Sequence, residues 1–449
     1  MKTKILSCIC ILCLMCSVLL GLVACNSDQA SGIAEAKING SGELVLIYEN
    51  GKKQNLGVVV GQDGTNGANG TNGTNGADGA DGATVITGEA GAVPVACAKG
   101  LRSAVSIVCN FTATIQNSGF RPGWGGTRTE EYTSSGSGVI YRLDREEGDA
   151  FILTNYHVVY DSSSDTENGI SDDISVYLYG SAIEEKAIKA TYVGGSSYYD
   201  IAVLRIEDND VLRGSNACAV EISNSDDIVV GDSAIAIGNA EGLGISASVG
   251  VVSVDSEYIT MTAADGKSEV SFRVVRVDAA VNSGNSGGGL YDSKGKLIGI
   301  VNAKIVDDGV ENIGYAIPSN VAVSIADNII DYCYGTDIES VQRAMLGVTV
   351  TASDSKAVYD TQTGLMHIQE TVSIYEISKG SLADGVLQTG DILLSATIDG
   401  KQTQITRQYH IIDMMLDLRV GDTVELEILR DGGKNTVRIL ITEDCLTSY

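Results

Sequence analysis

The amino-acid sequence predicts a mainly β chain that ends in a smaller α+β module, and three observations carry that expectation. From about Ala96 onward, short apolar runs recur with turn residues between them, the spacing of a β-sandwich or a pair of barrels. Past residue 341 the texture changes to strand, turn, helix and hairpin. The 449 residues exceed one ordinary core, so these blocks are expected to be separate domains.

Taken in order, the chain opens with Lys2 and Lys4 before the uncharged run ILSCICILCLMCSVLLGLVA, a basic start followed by an apolar export segment. The run is also long enough to span a bilayer uncleaved. Its ending Leu22-Val23-Ala24-Cys25 resembles the lipobox of bacterial lipoproteins. That resemblance implies a signal over residues 1–24, lipidation of Cys25, and a chain held on the cell membrane outside the cytoplasm. Cys10, Cys13 and Cys16 have an iron–sulfur-like spacing, but they lie within the export segment and Leu20 stands where a fourth ligand would be. No metal or cofactor is expected. Beyond Cys25 only Cys97, Cys109, Cys218, Cys333 and Cys445 remain, an odd and scattered set that cannot form a complete disulfide framework.

Residues 25–60 form an anchor segment whose GELVLIYENGKKQNLGVVVG reads as a β-hairpin turning at Glu49-Asn50-Gly51. An isolated hairpin is marginal in water, so it must pack on something, or on copies of itself. Over residues 61–84 glycine then falls at every third position: Gly61, Gly64, Gly67, Gly70, Gly73, Gly76, Gly79 and Gly82. The run resembles a collagen-like Gly-x-y segment, in which only glycine fits the axis of three wound chains. It contains no proline, and its polar composition equally suits an unstructured spacer.

The block over residues 96–340 shows VSIVCNFTATI, GSGVIYRL, FILTNYHVV, ISVYLYG, YYDIAVLRI, SAIAIGN and KLIGIVNAKIV as strands, closed by a helix in SNVAVSIADNIIDYCYG. Residues 341–445 have a strand at LGVTV, a helix around RQYHIIDMMLDL and a hairpin turning at Asp431-Gly432-Gly433. A formal charge of −28, from 58 acidic and 30 basic residues, excludes nucleic acid as a partner.

The stretch DAAVNSGNSGGGL, residues 278–290, sets Ser286 among glycines. A serine nucleophile needs a base. Of only 3 histidines, His157, His367 and His410, the first alone lies in the β-rich block. The imidazole in turn needs a carboxylate, and Asp200 stands before the apolar strand IAVLRI. The order His157, Asp200, Ser286 is that of the chymotrypsin-type double β-barrel. In such a site the N–H groups of Gly284, Asn285 and Ser286 would meet the developing oxyanion, where one donor contributes about 3–4 kcal/mol. A generic glycine turn explains the loop alone, but not the histidine and aspartate in sequence order.

SSGSGVI, LTNYHVV, YYDIAVLRI, VGDSAIAIGNAEGLG, VRVDAAVNSGNSGGGL and IGYAIPSN resemble, in that order, the HtrA/Deg serine proteases. LGVTV and LADGVLQTGDIL resemble the PDZ domain that such proteases carry. The resemblance implies a trimeric, ATP-independent endopeptidase acting on misfolded or damaged proteins outside the cytoplasm. It gives His157 as base, Asp200 as its orienter and Ser286 as nucleophile, with Gly284 and Asn285 completing the oxyanion hole. Leu346, Gly347 and Val348 would bind peptide C-termini by β-augmentation. Ser283, Gly289 and Ala240 stand where the family commonly has proline, and Tyr156 where His or Asn is usual. Loss of proline is expected to loosen the loops around the serine in a resting state.

Ala280, six residues before Ser286, is expected at the base of the specificity pocket, with Asn302, Ala303 and Lys304 along another wall. With no acid there, cleavage after small or medium apolar residues is expected. Trp124, in RPGWGG, touches substrate or a neighbouring subunit, or is an ordinary loop aromatic. The alternative to an enzyme is a non-catalytic chaperone or surface-binding scaffold that keeps the protease fold.

Overall fold

The computed structural model describes residues 33–39, 43–58, 92–116, 127–181, 187–303 and 312–449, in two units, Met1–Ile86 and Thr87–Tyr449. Cys25, the Gly-x-y run over 61–84, Trp124 and Lys304 lie outside the described residues. No helix among the described residues is long and apolar enough to cross a membrane.

In the first unit, β1 (Ile33–Ile38), β2 (Glu43–Tyr48) and β3 (Lys53–Val58) form an antiparallel sheet in that order. The expected hairpin is β2–β3. Its turn is closed by the Gly51 N–H donating to the Tyr48 carbonyl at 2.8 Å. Strand β1 escapes the sequence pattern, because IAEAKI is made largely of residues that favour helix and extends only through pairing with the apolar β2.

The second unit begins with a helix that strand patterning also misses, α1 (Ala92–Ser103), which buries Ala96, Gly100 and Ser103. Two closed antiparallel barrels come next. The first comprises β4 (Ala104–Gln116), β5 (Thr127–Asp144), β6 (Asp149–Thr154), β7 (Asp173–Leu178), β8 (Ile188–Ser196) and β9 (Ile201–Ile206). They close in the order β4-β5-β6-β9-β8-β7 around Val105, Ile107, Ile140, Ile152, Val176 and Leu204. The second comprises β10 (Ser233–Gly238), β11 (Ser246–Thr262), β12 (Glu269–Val277), β13 (Gly289–Tyr291), β14 (Leu297–Val301) and β15 (Gly314–Pro318). Its order is β10-β11-β12-β15-β14-β13, and Ala236, Val252, Val275, Leu290 and Ile298 are in its core. Closure removes the sheet edges that so many short strands would otherwise expose.

Helix α2 (Ser319–Tyr332) lies where expected, burying Val321, Ala322, Ile325, Ala326 and Ile329. The C-terminal module is a sheet of β17 (Val348–Asp360), β18 (Leu365–Ile377), β19 (Ile392–Ile398), β21 (Thr423–Arg430) and β22 (Gly433–Leu440), with β20 (Lys401–Gln404) beside β19. Short strands β16 (Gln342–Ala344) and β23 (Leu446–Ser448) pair with each other, and helix α3 (Gln408–Asp413) packs near β17. The last hairpin turns at Asp431-Gly432, with φ +52° and +77°, the left-handed pair that a two-residue turn between twisted strands requires.

A buried arginine joins this module to the second barrel. Arg273 on β12 is 2% exposed and lies 2.9 Å from Asp226 and 2.8 Å from Asp413 of α3. Its guanidinium stacks over Tyr409, 3.9 Å from the ring centre. A second pair, Arg407 with Asp255 at 3.2 Å, crosses the same boundary. The five described cysteines are free, and burial pushes the Cys109 thiol up to about 12.

Candidate active site

Strand pairing brings two of the three expected catalytic side chains together. Thr154, the last residue of β6, pairs with Ala202 at the start of β9. The chain leaves β6 into a helical turn, Tyr156–Val159, that carries His157, and it enters β9 from Asp200. The His157 Nδ1 lies 2.6 Å from Asp200 Oδ2, and the His157 backbone N–H donates to Asp200 Oδ1 at 2.9 Å. The Asn302 amide donates to Asp200 Oδ2 at 2.8 Å, and the Asn155 amide to the Asp200 carbonyl at 2.8 Å. A carboxylate only 3% exposed needs such donors, because an unpaired buried charge is costly. Asp200 also has φ +54°, a left-handed conformation that Asp tolerates better than most side chains. Tyr156, unusual at its position, is half-buried and stacks near Tyr160, with ring centres 5.0 Å apart.

Ser286 comes from the other barrel, on the loop between β12 and β13. Its carbonyl accepts the Ser137 N–H at 2.8 Å, which ties the loop to β5 of the first barrel. Gly287 has φ +82°, and a Cβ there would collide with the Ser137 carbonyl and the Thr154 hydroxyl. Gly284 has φ +87°, and its Cβ would collide with the Asn239 carbonyl. These glycines are therefore required by contacts within the protein, in addition to any approach of substrate.

The Ser286 hydroxyl is 6% exposed as a residue and accepts the Ala303 N–H at 3.2 Å. Among the described residues, no hydrogen bond joins that hydroxyl to the His157 ring. Neither the Gly284 N–H nor the Ser286 N–H has a partner among the described residues, whereas the Asn285 N–H donates to the Asn282 carbonyl at 3.0 Å. Of the three N–H groups expected at the oxyanion, that of Asn285 is engaged in a turn, while those of Gly284 and Ser286 are open. The carbonyls beside them are tied back. Gly284's accepts the Ser137 hydroxyl at 2.6 Å, and Ser283's accepts the Glu241 N–H at 2.8 Å. The loop that missing prolines were expected to loosen is thus anchored at each of these groups.

The pocket residues separate. Ala280 is exposed, and its carbonyl accepts the Ser248 hydroxyl at 2.7 Å. Asn302 is not a pocket wall: it is fully buried, and its amide holds Asp200. Ala303 acts through its backbone, on Ser286. Ser137, which donates to Gly284 and accepts the Asn239 N–H at 2.7 Å, was legible only as the small residue in GSG. Asn302 was named only as a pocket wall, and neither its link to Asp200 nor that of Asn155 carried a sequence signal.

In the C-terminal module, β17 is an edge strand. Leu346 is buried and its carbonyl accepts the Ala383 N–H at 3.1 Å. Gly347 has φ +76° and its carbonyl accepts the Ser378 N–H at 2.8 Å, while Val348 is half-buried. The Gln408 amide of α3 donates to the Val350 carbonyl at 3.1 Å, and so occupies one acceptor of that strand.

Comparison with known proteins matches residues 136–300 to the trypsin-like peptidase domain, a span that contains His157, Asp200 and Ser286. The serine protease Do-like HtrA of Bacillus subtilis (strain 168) is 32% identical over 350 residues, 76% of this chain and 71% of that protein. The serine protease Do-like HtrA of Lactococcus lactis subsp. cremoris (strain MG1363) is 29% identical over 362 residues, 77% and 81% of the two chains. The solved HtrA-type protease AlgW with tripeptide is 26% identical, covering 79% of this chain and 97% of that one with a TM-score of 0.47. On the strength of the Bacillus relative, alike across most of both chains, this chain belongs to the HtrA family of trypsin-like serine proteases and is a serine-type endopeptidase.

Proposed function

We propose that the chain is a lipid-anchored, ATP-independent endopeptidase that degrades misfolded proteins of the cell envelope, with His157, Asp200 and Ser286 as its catalytic triad. The hydrogen bond between His157 and Asp200 carries this reading. It fixes which imidazole nitrogen bears the proton and leaves Nε2 free to act as base. The Ser286 hydroxyl turns from the Ala303 N–H toward that nitrogen, gives up its proton to it and bonds to the scissile carbonyl carbon. Such contacts are commonly loose before substrate binds. The carbonyl oxygen becomes an oxyanion held by the Gly284 and Ser286 N–H groups. The imidazolium then protonates the departing amine, and water releases the acyl group by the reverse sequence.

Ala280 at the pocket base favours small or medium apolar residues before the cut. Residues 341–445 act as a PDZ domain that takes a peptide C-terminus along the edge of β17, beside Leu346, Gly347 and Val348. The head is a trimer. Cys25 bears the lipid, and residues 61–84 are a Gly-x-y spacer, read either as a collagen-like triple helix or as an unstructured linker.

A fluorophosphonate probe applied during digestion of unfolded casein tests the central assignment. Labelling and casein cleavage that both vanish in Ser286→Ala are expected. Undiminished cleavage by that variant would overturn it.

A further inference from the structure

The sheet of the first unit has two unlike faces. Antiparallel partners share a face, so Ala36 lies beside Leu46, and Leu46 beside Gln54. With Ile38 and Tyr48 they make one face, apolar except where the Tyr48 hydroxyl donates to Gln54 Oε1 at 2.7 Å. The opposite face carries Glu35, Lys37, Lys53 and Asn55 around Val45 and Ile47, with Lys37 and Glu35 3.4 Å apart. None of the described side chains in this sheet is buried; Ile38 is 56% exposed. A three-stranded sheet becomes stable by covering such a face.

The residues just past the sheet indicate its cover. β3 ends at Val58, and the strict glycine period starts at Gly61. Three residues reach at most about 10 Å. A winding of three Gly-x-y strands therefore holds three copies of the sheet within a short tether, at high effective concentration. The need runs both ways. Eight triplets without proline have little intrinsic drive to wind and need their three chains brought into register at one end.

We propose that the apolar face of Ala36, Ile38, Leu46 and Tyr48 docks against the same face of two other copies, so that the N-terminal sheet is a self-association module that starts and registers the triple helix. The proposal rests on the triple-helix reading of residues 61–84. It is independent of how the protease heads associate. The charged face remains in water, which sets the polarity of the contact.

Cysteine cross-linking in the full chain, carrying Ser286→Ala against autolysis, tests it. Ala36→Cys is expected to give disulfide-linked chains on mild oxidation, above the level of the chain without the new cysteine. Lys53→Cys, on the charged face, is expected to give none. Adding Leu46→Glu to Ala36→Cys should abolish the cross-link. An Ala36→Cys chain that stays unlinked, or that links no better than Lys53→Cys, would overturn the proposal, including the case where the face packs on its own chain. Protease resistance and cooperative melting of the Gly-x-y run are monitored in the same samples. Resistance without the Ala36→Cys cross-link leaves the triple helix standing and removes the docking surface. The cross-link without resistance keeps the docking surface and removes the triple helix.

Discussion

Asp200 receives hydrogen bonds on both carboxylate oxygens, and one of the donors is a side chain that the sequence offered no reason to connect with it. Asn302 Nδ2 and His157 Nδ1 converge on the same oxygen, at 2.8 and 2.6 Å. The amide therefore fixes the carboxylate plane against which the imidazole orients. Asn302→Ala removes one hydrogen bond to a charged group, which contributes about 1.5–3 kcal/mol. We expect kcat to fall roughly ten- to a hundredfold with little change in KM, because Asn302 touches the carboxylate and not the substrate. Steady-state kinetics on a short apolar peptide checks this. A KM effect with kcat intact would return Asn302 to the pocket wall. His157, Asp200 and Ser286, the proposed triad, were legible as candidates by residue type and order, since few imidazoles were available to choose from. The partners of Asp200 were not, because a buried asparagine looks the same in sequence whatever it faces.

At the scale of elements, the serine loop takes its shape from what it crosses. Gly287 sits in the left-handed region against the Ser137 carbonyl and Thr154, so its neighbours are backbone and a short side chain that cannot retreat. Gly287→Ala combines an unfavourable backbone conformation with overpacking, and we expect a loss of about 2 kcal/mol or more in stability together with most of the activity. Chemical denaturation of the two proteins measures the first. An unchanged midpoint would show that the loop can move away from the first barrel at little cost. Element existence was well read where apolar periodicity was strong, as in β4, β9, β14 and α2. It failed for β1, whose Ala, Glu and Lys favour a helix that pairing overrides, and for α1, whose Pro94 and Gly100 disfavour the helix it forms.

At the scale of the whole molecule, the buried cluster around Arg273 links the second barrel to the C-terminal module. Burial pushes the Asp413 carboxyl up to about 6, even though Arg273 and Arg343 pull it down. Its folded value thus exceeds the ordinary 3.8, and between the two the folded protein holds a proton that the unfolded chain has lost. The stability from this group is complete below the unfolded value and is lost as pH rises through about 6. Groups facing Asp413 are Arg273, Arg343 and Asp226. We expect the stability of the unsubstituted protein, measured relative to Asp413→Asn, to rise as pH falls from 7 to 5. Thermal melts of both across that interval check it, and parallel curves would mean that the carboxyl titrates alike in both states.

The class of the chain, its family and the three residue types proposed for its triad could all be read from the amino-acid order alone. These come from local periodicity, turn residues and motif order, which each stretch carries without knowing its neighbours. It took the folded chain to reveal that Asn302 serves Asp200, that Asn285 is spent in a turn, that the glycines yield to the opposite barrel, and that Arg273 fastens the second barrel to the C-terminal module. Each of those is a contact that depends on how the chain is folded, with an energy set by distance and burial, and neither quantity is written in the identity of any single residue.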